Sequence, residues 1–174
     1  MNKKELPFMP VFFDRYINLT DDNNVIDILS ESISKLNSDF VEKLEQLGTD
    51  VYAANKWTVL DLMQHMIDTE RILAYRALSF AREDKTPLPG FEEDDYAVNS
   101  MANHRELADL INEFQVVRMS SIALFKSFSD EMLLQVGTAS GNEISVLALG
   151  FTIAGHQLHH MKIIEERYFP LLNN

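Results

Sequence analysis

Two imidazoles four residues apart, His156 and His160, stand in the stretch Gly155-His156-Gln157-Leu158-His159-His160, which holds three of the chain's five histidines. On a helix, residues i and i+4 share a face with Cβ atoms about 6 Å apart, a spacing that lets two ring nitrogens reach one ion. The rhythm Val146, Leu149, Ile153, His156, His160, Ile163 places both imidazoles on the inward seam of the last helix. His159 falls roughly 100° further around the axis, toward a flank. A third ligand has to come from another helix, and His65, bordering the apolar stripe in Met63-Gln64-His65-Met66-Ile67-Asp68-Thr69-Glu70, is the candidate. Three neutral imidazoles with no fourth protein ligand evident describe an open divalent-metal site, completed by water or substrate. Asp68, one turn beyond His65, is a candidate for orienting an imidazole. Arg71, Tyr75 and Arg76 are candidates for steering an anionic substrate, with solvated or i,i+4-paired surface charges as the competing reading. Taken singly, an inward histidine also reads as a core residue with a satisfied hydrogen bond. His104 reads as a surface residue, Trp57 as packing at a helix start, and the eight methionines as core filler.

The composition narrows the chemistry. Cysteine is absent, so neither disulfides nor a thiolate-bound zinc can support the fold, and any metal must be held by His, Asp or Glu. Any attacking sulfur would have to come from a cosubstrate. With 27 acidic against 15 basic residues the net charge is -12, which repels phosphate backbones and anionic lipid surfaces. Nucleic acid and membranes are therefore not the expected partners. No run approaches the roughly 20 apolar residues of a membrane span, and Glu5, Pro7 and Pro10 interrupt the N-terminus before a signal-peptide core could form. A cytoplasmic protein is expected.

The elements that must position the histidines are helices. The first segment begins after Thr20-Asp21-Asp22 and repeats apolar positions at Ile26, Leu29, Ile33, Leu36, Phe40, Leu44 and Leu47, and Gly48 ends it. Residues 57–82 follow, with Thr58 as cap and Asp61 three residues later. Residues 105–128 carry the strictest stripe, Leu107, Leu110, Phe114, Val117, Ser121, Leu124 and Phe128. The last helix spans 145–168. Between the second and third helices lies a long connection, 83–103, with Pro87, Pro89, Gly90 and the acidic run Glu92-Glu93-Asp94-Asp95, and a short helical turn is expected near Tyr96. A connection this long is either a packed, functional crossing or a solvated loop, and it could join helices that are not antiparallel neighbours. Sustained alternation and Asn-Gly or Asp-Gly turns are missing, and 137–141 reads as loop. The expectation is all-α: an antiparallel four-helix bundle in one domain, 1–174.

Residues 56–71, from Lys56-Trp57-Thr58 through His65 to Glu70-Arg71, resemble the DinB-like superfamily (DinB/YfiT-type), as do 155–160, 76–82 and Pro87-Leu88-Pro89-Gly90-Phe91. The resemblance extends over nearly the whole chain. It implies a four-helix bundle, commonly a homodimer, with a three-histidine metal site at His65, His156 and His160. Zinc and nickel lead among the implied ions, with iron and manganese next, since imidazoles alone do not select among them. The implied activity is a metal-dependent S-transferase joining a low-molecular-weight thiol, such as bacillithiol or mycothiol, to a small electrophile. A metal-dependent hydrolase is the alternative, and a stress-response or interaction module with a structural or vestigial metal site is the non-catalytic one.

Overall fold

Helix-start chemistry recurs along the chain and sets its elements. The computed structural model describes residues 1–173. In order they are α1 (Asp14–Ile17), α2 (Val25–Ile33), α3 (Ser38–Leu47), α4 (Val59–Ala81), α5 (Glu93–Ser100), α6 (Leu107–Lys126), α7 (Asp130–Leu133), β1 (Val136–Ala139), β2 (Asn142–Ser145) and α8 (Val146–Ile163). A π-helical turn, Ile164–Tyr168, and a 3-10 turn continue α8. The expected capping box is present at α4, where Thr58 Oγ1 accepts from the Asp61 amide at 3.1 Å and Asp61 accepts from the Thr58 amide at 3.0 Å. Gly48 closes α3 at φ +52°.

The first expected helix is two helices. Asn37 adopts an extended conformation and its side chain caps the Phe40 amide at 3.0 Å, so a new helix starts where the apolar periodicity alone runs straight on. The expected loop around 137–141 is a hairpin instead. Its two-residue turn, Ser140-Gly141, has positive φ at both positions (52° and 77°), the conformation that matches strand twist. Ser-Gly makes this turn as Asn-Gly would, and four-residue strands are too short to show alternation.

The bundle helices are α2, α4, α6 and α8, with α4 and α2 each packed against both α6 and α8. Contacts along their lengths give the directions. Gln64 meets Arg105 and Glu70 meets Arg118, so α4 and α6 run parallel. Trp57 meets Tyr168 across the α4/α8 face, which is antiparallel. Val25 approaches Gly150 while Ser32 meets Gln157, so α2 and α8 are parallel. The bundle is thus antiparallel across two faces and parallel across the other two.

That arrangement explains the long connection. After α4 the chain must travel back the length of the bundle before α6 can run alongside it. It does so in fixed contacts. The Leu88 amide donates to Thr138 O at 2.9 Å and Leu88 O accepts from the Ser140 amide at 3.1 Å, which docks the segment on the hairpin. α5 then lies against α4, and Asn103 bonds both Thr58 (2.7 Å) and Asp61 (2.9 Å) at the start of α4. The helical turn expected near Tyr96 is the eight-residue α5.

α8 differs most from a helix with one apolar face, since every residue from Val146 to Gln157 is buried. α1, α2 and α4 surround it. Gly155 is required there, because a Cβ at that position would collide with the Tyr16 carbonyl of α1. The core also holds an ion pair. Arg118 is fully buried, with Nε and Nη2 each 2.9 Å from a Glu70 carboxylate oxygen. Its Nη1 donates to Gln157 Oε1 at 2.8 Å and to Ser32 Oγ. Each of the four bundle helices contributes one member. No helix among the described residues is long and apolar enough to cross a membrane.

Candidate metal centre

α4 and α8 bring the three predicted histidines together. His65 Nε2 and His160 Nε2 each lie 3.1 Å from His156 Nε2, and the nearest ligand atoms of all three fall within 4.8 Å of one another. His159 points to the flank, edge-on to Tyr16 with ring centroids 5.4 Å apart. His104 is exposed. Trp57 packs on the His65 ring at 4.9 Å, and Tyr16 meets His156 edge-on at 5.2 Å, so aromatic contacts orient two of the imidazoles.

A cation fits this arrangement better than hydrogen bonds do. A ring nitrogen has one in-plane lone pair or one proton, so His156 Nε2 can satisfy only one of its two 3.1 Å neighbours by hydrogen bonding. Ligands about 2.0–2.1 Å from one tetrahedral ion stand about 3.3 Å apart, close to what is seen. His160 Nδ1 is buried and has no partner among the described residues. Together His65, His156 and His160 form a three-nitrogen donor set suited to a borderline divalent ion.

Burial keeps the set unprotonated. It lowers His65 to about 4 and His160 to about 2, with neighbouring imidazoles adding repulsion, and it lowers His156 well below the usual histidine value. Lone pairs therefore stay available in mildly acidic solution. The sign of the stability effect follows. Below pH about 6.5 the unfolded chain takes up protons that the native site refuses, so metal-free protein loses stability as pH falls through that value. The share from His65 levels off near pH 4. In urea titrations of metal-free protein between pH 5 and 8, His160→Leu is expected to flatten the acid-side slope by about one proton, or about 1.4 kcal/mol per pH unit. An unchanged slope would show that His160 titrates normally.

The other predicted residues divide. Asp68 accepts from Gln64 Nε2 at 2.9 Å and lies 3.9 Å from Arg71, and no bond from it to an imidazole is found among the described residues. Arg71 pairs with Glu113 at 2.6 Å on the surface, the solvated reading. Tyr75 is exposed. Arg76 is buried and faces a cavity of about 320 Å³ that also opens onto His65 and His156. Gly90, Phe91, Glu92 and Glu93 of the long connection line this cavity, so the crossing forms part of its wall although most of its residues are exposed.

Sequence reasoning missed Tyr16, Thr69, Ser140 and the Arg118 cluster. A signal existed for one of them: Thr69 is four residues after His65 and so shares its face of α4. Thr69 Oγ1 is buried without a partner among the described residues.

The profile of the DinB superfamily matches residues 36–164, which include all three histidines and the hairpin. Among solved structures the chain resembles YfiT from Bacillus subtilis, described as a probable metal-dependent hydrolase with an unusual four-helix bundle topology. The TM-score is 0.72 at 16% sequence identity, covering 82% of each chain. Among curated proteins none matches. Over three of its four bundle helices and its histidine cluster, this chain belongs to the DinB superfamily.

Proposed function

We propose that the chain is a divalent-metal-dependent S-transferase, joining an external low-molecular-weight thiol to a small electrophile, with the ion held by Nε2 of His65, His156 and His160. One observation carries the reading: the three nitrogens converge beside an open cavity, and no Asp, Glu or fourth His joins their group among the described residues. A structural ion is usually closed off by four protein ligands. When bound, a divalent ion supplies Lewis acidity that lowers the pKa of a thiol or a water. The chain's part is to hold three neutral imidazoles, oriented by Trp57 and Tyr16, and to shield the cavity with Phe13, Leu73 and Phe91. With no cysteine in the chain, the sulfur is the cosubstrate's. Hydrolysis is the second reading, favoured by Glu92 and Glu93, carboxylates on the cavity wall of the kind that accept a proton from an attacking water. A cytoplasmic homodimer completes the proposal, the dimer supported by exposed Tyr75 and Leu78 on α4 and Val116 and Met119 on α6.

The test uses zinc- or nickel-loaded protein with monobromobimane and a series of thiols including bacillithiol, beside 4-nitrophenyl acetate without thiol. Thiol consumption that falls at least about 100-fold in His160→Ala, with the helical circular dichroism unchanged, is the expected result. Ester cleavage without thiol would move the assignment to hydrolysis. Neither reaction in well-folded, metal-loaded protein would leave a non-catalytic module.

A further inference from the structure

Two arginines are buried among the described residues, and they are treated differently. Arg118 has a carboxylate on two of its nitrogens. Arg76 is nearly as hidden, 4% exposed, yet its bonds go to neutral acceptors only: Nη2 donates to Pro89 O at 2.7 Å and to Ser140 Oγ at 3.0 Å. The donors on Nε and Nη1 have no acceptor among the described residues and are not sealed from solvent, so they are free to meet a ligand in the cavity. Burial alone pulls Arg76 below its usual value, with no carboxylate acting on it, and an arginine remains charged after any such shift. Holding a mostly buried guanidinium without a counter-ion opposes folding, so its retention calls for a reason.

The surroundings supply one. His65, Thr69, Leu73 and Arg76 lie at i, i+4, i+8 and i+11 on α4, and all four line the same cavity. From the histidine end the wall reads imidazole, unpartnered hydroxyl, apolar side chain, unneutralised guanidinium. Roughly 16 Å of helix rise separates the Cα atoms of His65 and Arg76. The Pro89 carbonyl and Ser140 hydroxyl hold the guanidinium without neutralising it, which is how a recognition group is preorganised. Glu92 and Glu93 also line the cavity, but both are exposed to solvent and neither bonds Arg76 among the described residues.

We propose that Arg76 is the anion-recognition group of this cavity, and that its ligand is an elongated small molecule with an apolar body and a carboxylate or phosphate at the end remote from the histidines. The placement of the reacting end at the histidines rests on the function proposed above. The anion preference does not. Arg76 sets which molecules enter, and Thr69 offers a hydroxyl midway to a polar atom of the same ligand.

The probes are 4-phenylbutyrate, 4-phenylbutan-1-ol and 4-phenylbutyl phosphate, titrated calorimetrically into the protein as isolated and after chelation. Wild type is expected to prefer at least one acid over the alcohol by roughly ten- to a hundredfold, and Arg76→Gln to bind acid and alcohol within about twofold of each other. The better acid identifies carboxylate or phosphate as the natural group. Equal affinity for acid and alcohol in wild type, no measurable binding of either acid, or a preference that survives Arg76→Gln each overturns the proposal. The wild-type comparison stands even if the variant folds poorly. Arg76→Gln is also assayed for zinc: failure of wild type to hold zinc would remove the metal reading and leave the anion result standing, whereas normal zinc with no anion preference would do the reverse.

Discussion

His156→Ala is expected to lower zinc or nickel affinity by about 100-fold or more while the helices persist, because His156 is the member that joins the other two. Its Nε2 lies 3.1 Å from both partners, and removing it leaves two nitrogens on different helices with no atom between them. His159 cannot replace it, since its ring is turned outward against Tyr16. Elemental analysis of untagged protein, expressed without metal supplementation, should find about one equivalent of a single divalent ion in wild type and far less in the variant. A second readout is thermal. Metal at a hundredfold over its dissociation constant stabilises the native state by about 2.7 kcal/mol, or roughly 5–10 °C for a chain of this size, and the variant should show little of that rise. Full metal content in His156→Ala would sink the three-histidine site. So would a wild-type protein without metal.

Glu70→Ala should be the most damaging single substitution for the fold. It removes the only carboxylate bonded to Arg118 among the described residues and leaves a fully buried cation with Ser32 and Gln157, both neutral. Breaking a buried ion pair from one side is destabilising by about 3–5 kcal/mol, a large part of the roughly 5–15 kcal/mol that holds a domain together. Glu113→Ala, which breaks the surface pairs with Arg71 and Arg105, should lose about 1 kcal/mol or less. Replacing both partners, Glu70→Leu with Arg118→Met, is expected to recover most of the stability, since apolar side chains need no counter-ion. The same double variant should bind metal more weakly. Ser32, Glu70, Arg118 and Gln157 come from the four bundle helices, and Glu70 and Gln157 stand five residues after His65 and one after His156, so the cluster sets how α4 and α8 lie against each other. Urea denaturation measures the first effect and competitive metal titration the second. A loss under 1 kcal/mol in Glu70→Ala would show that water reaches Arg118. Unchanged metal affinity in the double variant would show that the histidine register is set elsewhere.

Much of the site was legible in advance because its signals are short-range. The i,i+4 pair on α8 and the border position of His65 follow from helical geometry over a few residues, and so does the cap at Thr58. Arg76 was legible only in part. Its place on α4 was evident, but the absence of a carboxylate beside it depends on Pro89 and Ser140, 13 and 64 residues away. Tyr16 gave no signal at all, because α1 is one turn long and is held by packing on Gly155. The hairpin was hidden in a four-residue alternation too short to read and in a Ser-Gly turn that does the work of Asn-Gly.

The sequence by itself determined what local rules reach: helices wherever apolar residues recur every three or four positions, their starts wherever a Thr, Asn or Ser can accept an amide, and which imidazoles share a face. Only the tertiary structure decided the rest. Whether neighbouring helices run parallel depends on a return connection that leaves no periodic trace. The partners of Arg118 lie 48, 86 and 39 residues away in Glu70, Ser32 and Gln157. A buried charge and an exposed one are written with the same letter, and the faces that meet across the bundle make Arg118 a clasp, Arg71 a surface ion and Arg76 an unneutralised cation in the cavity.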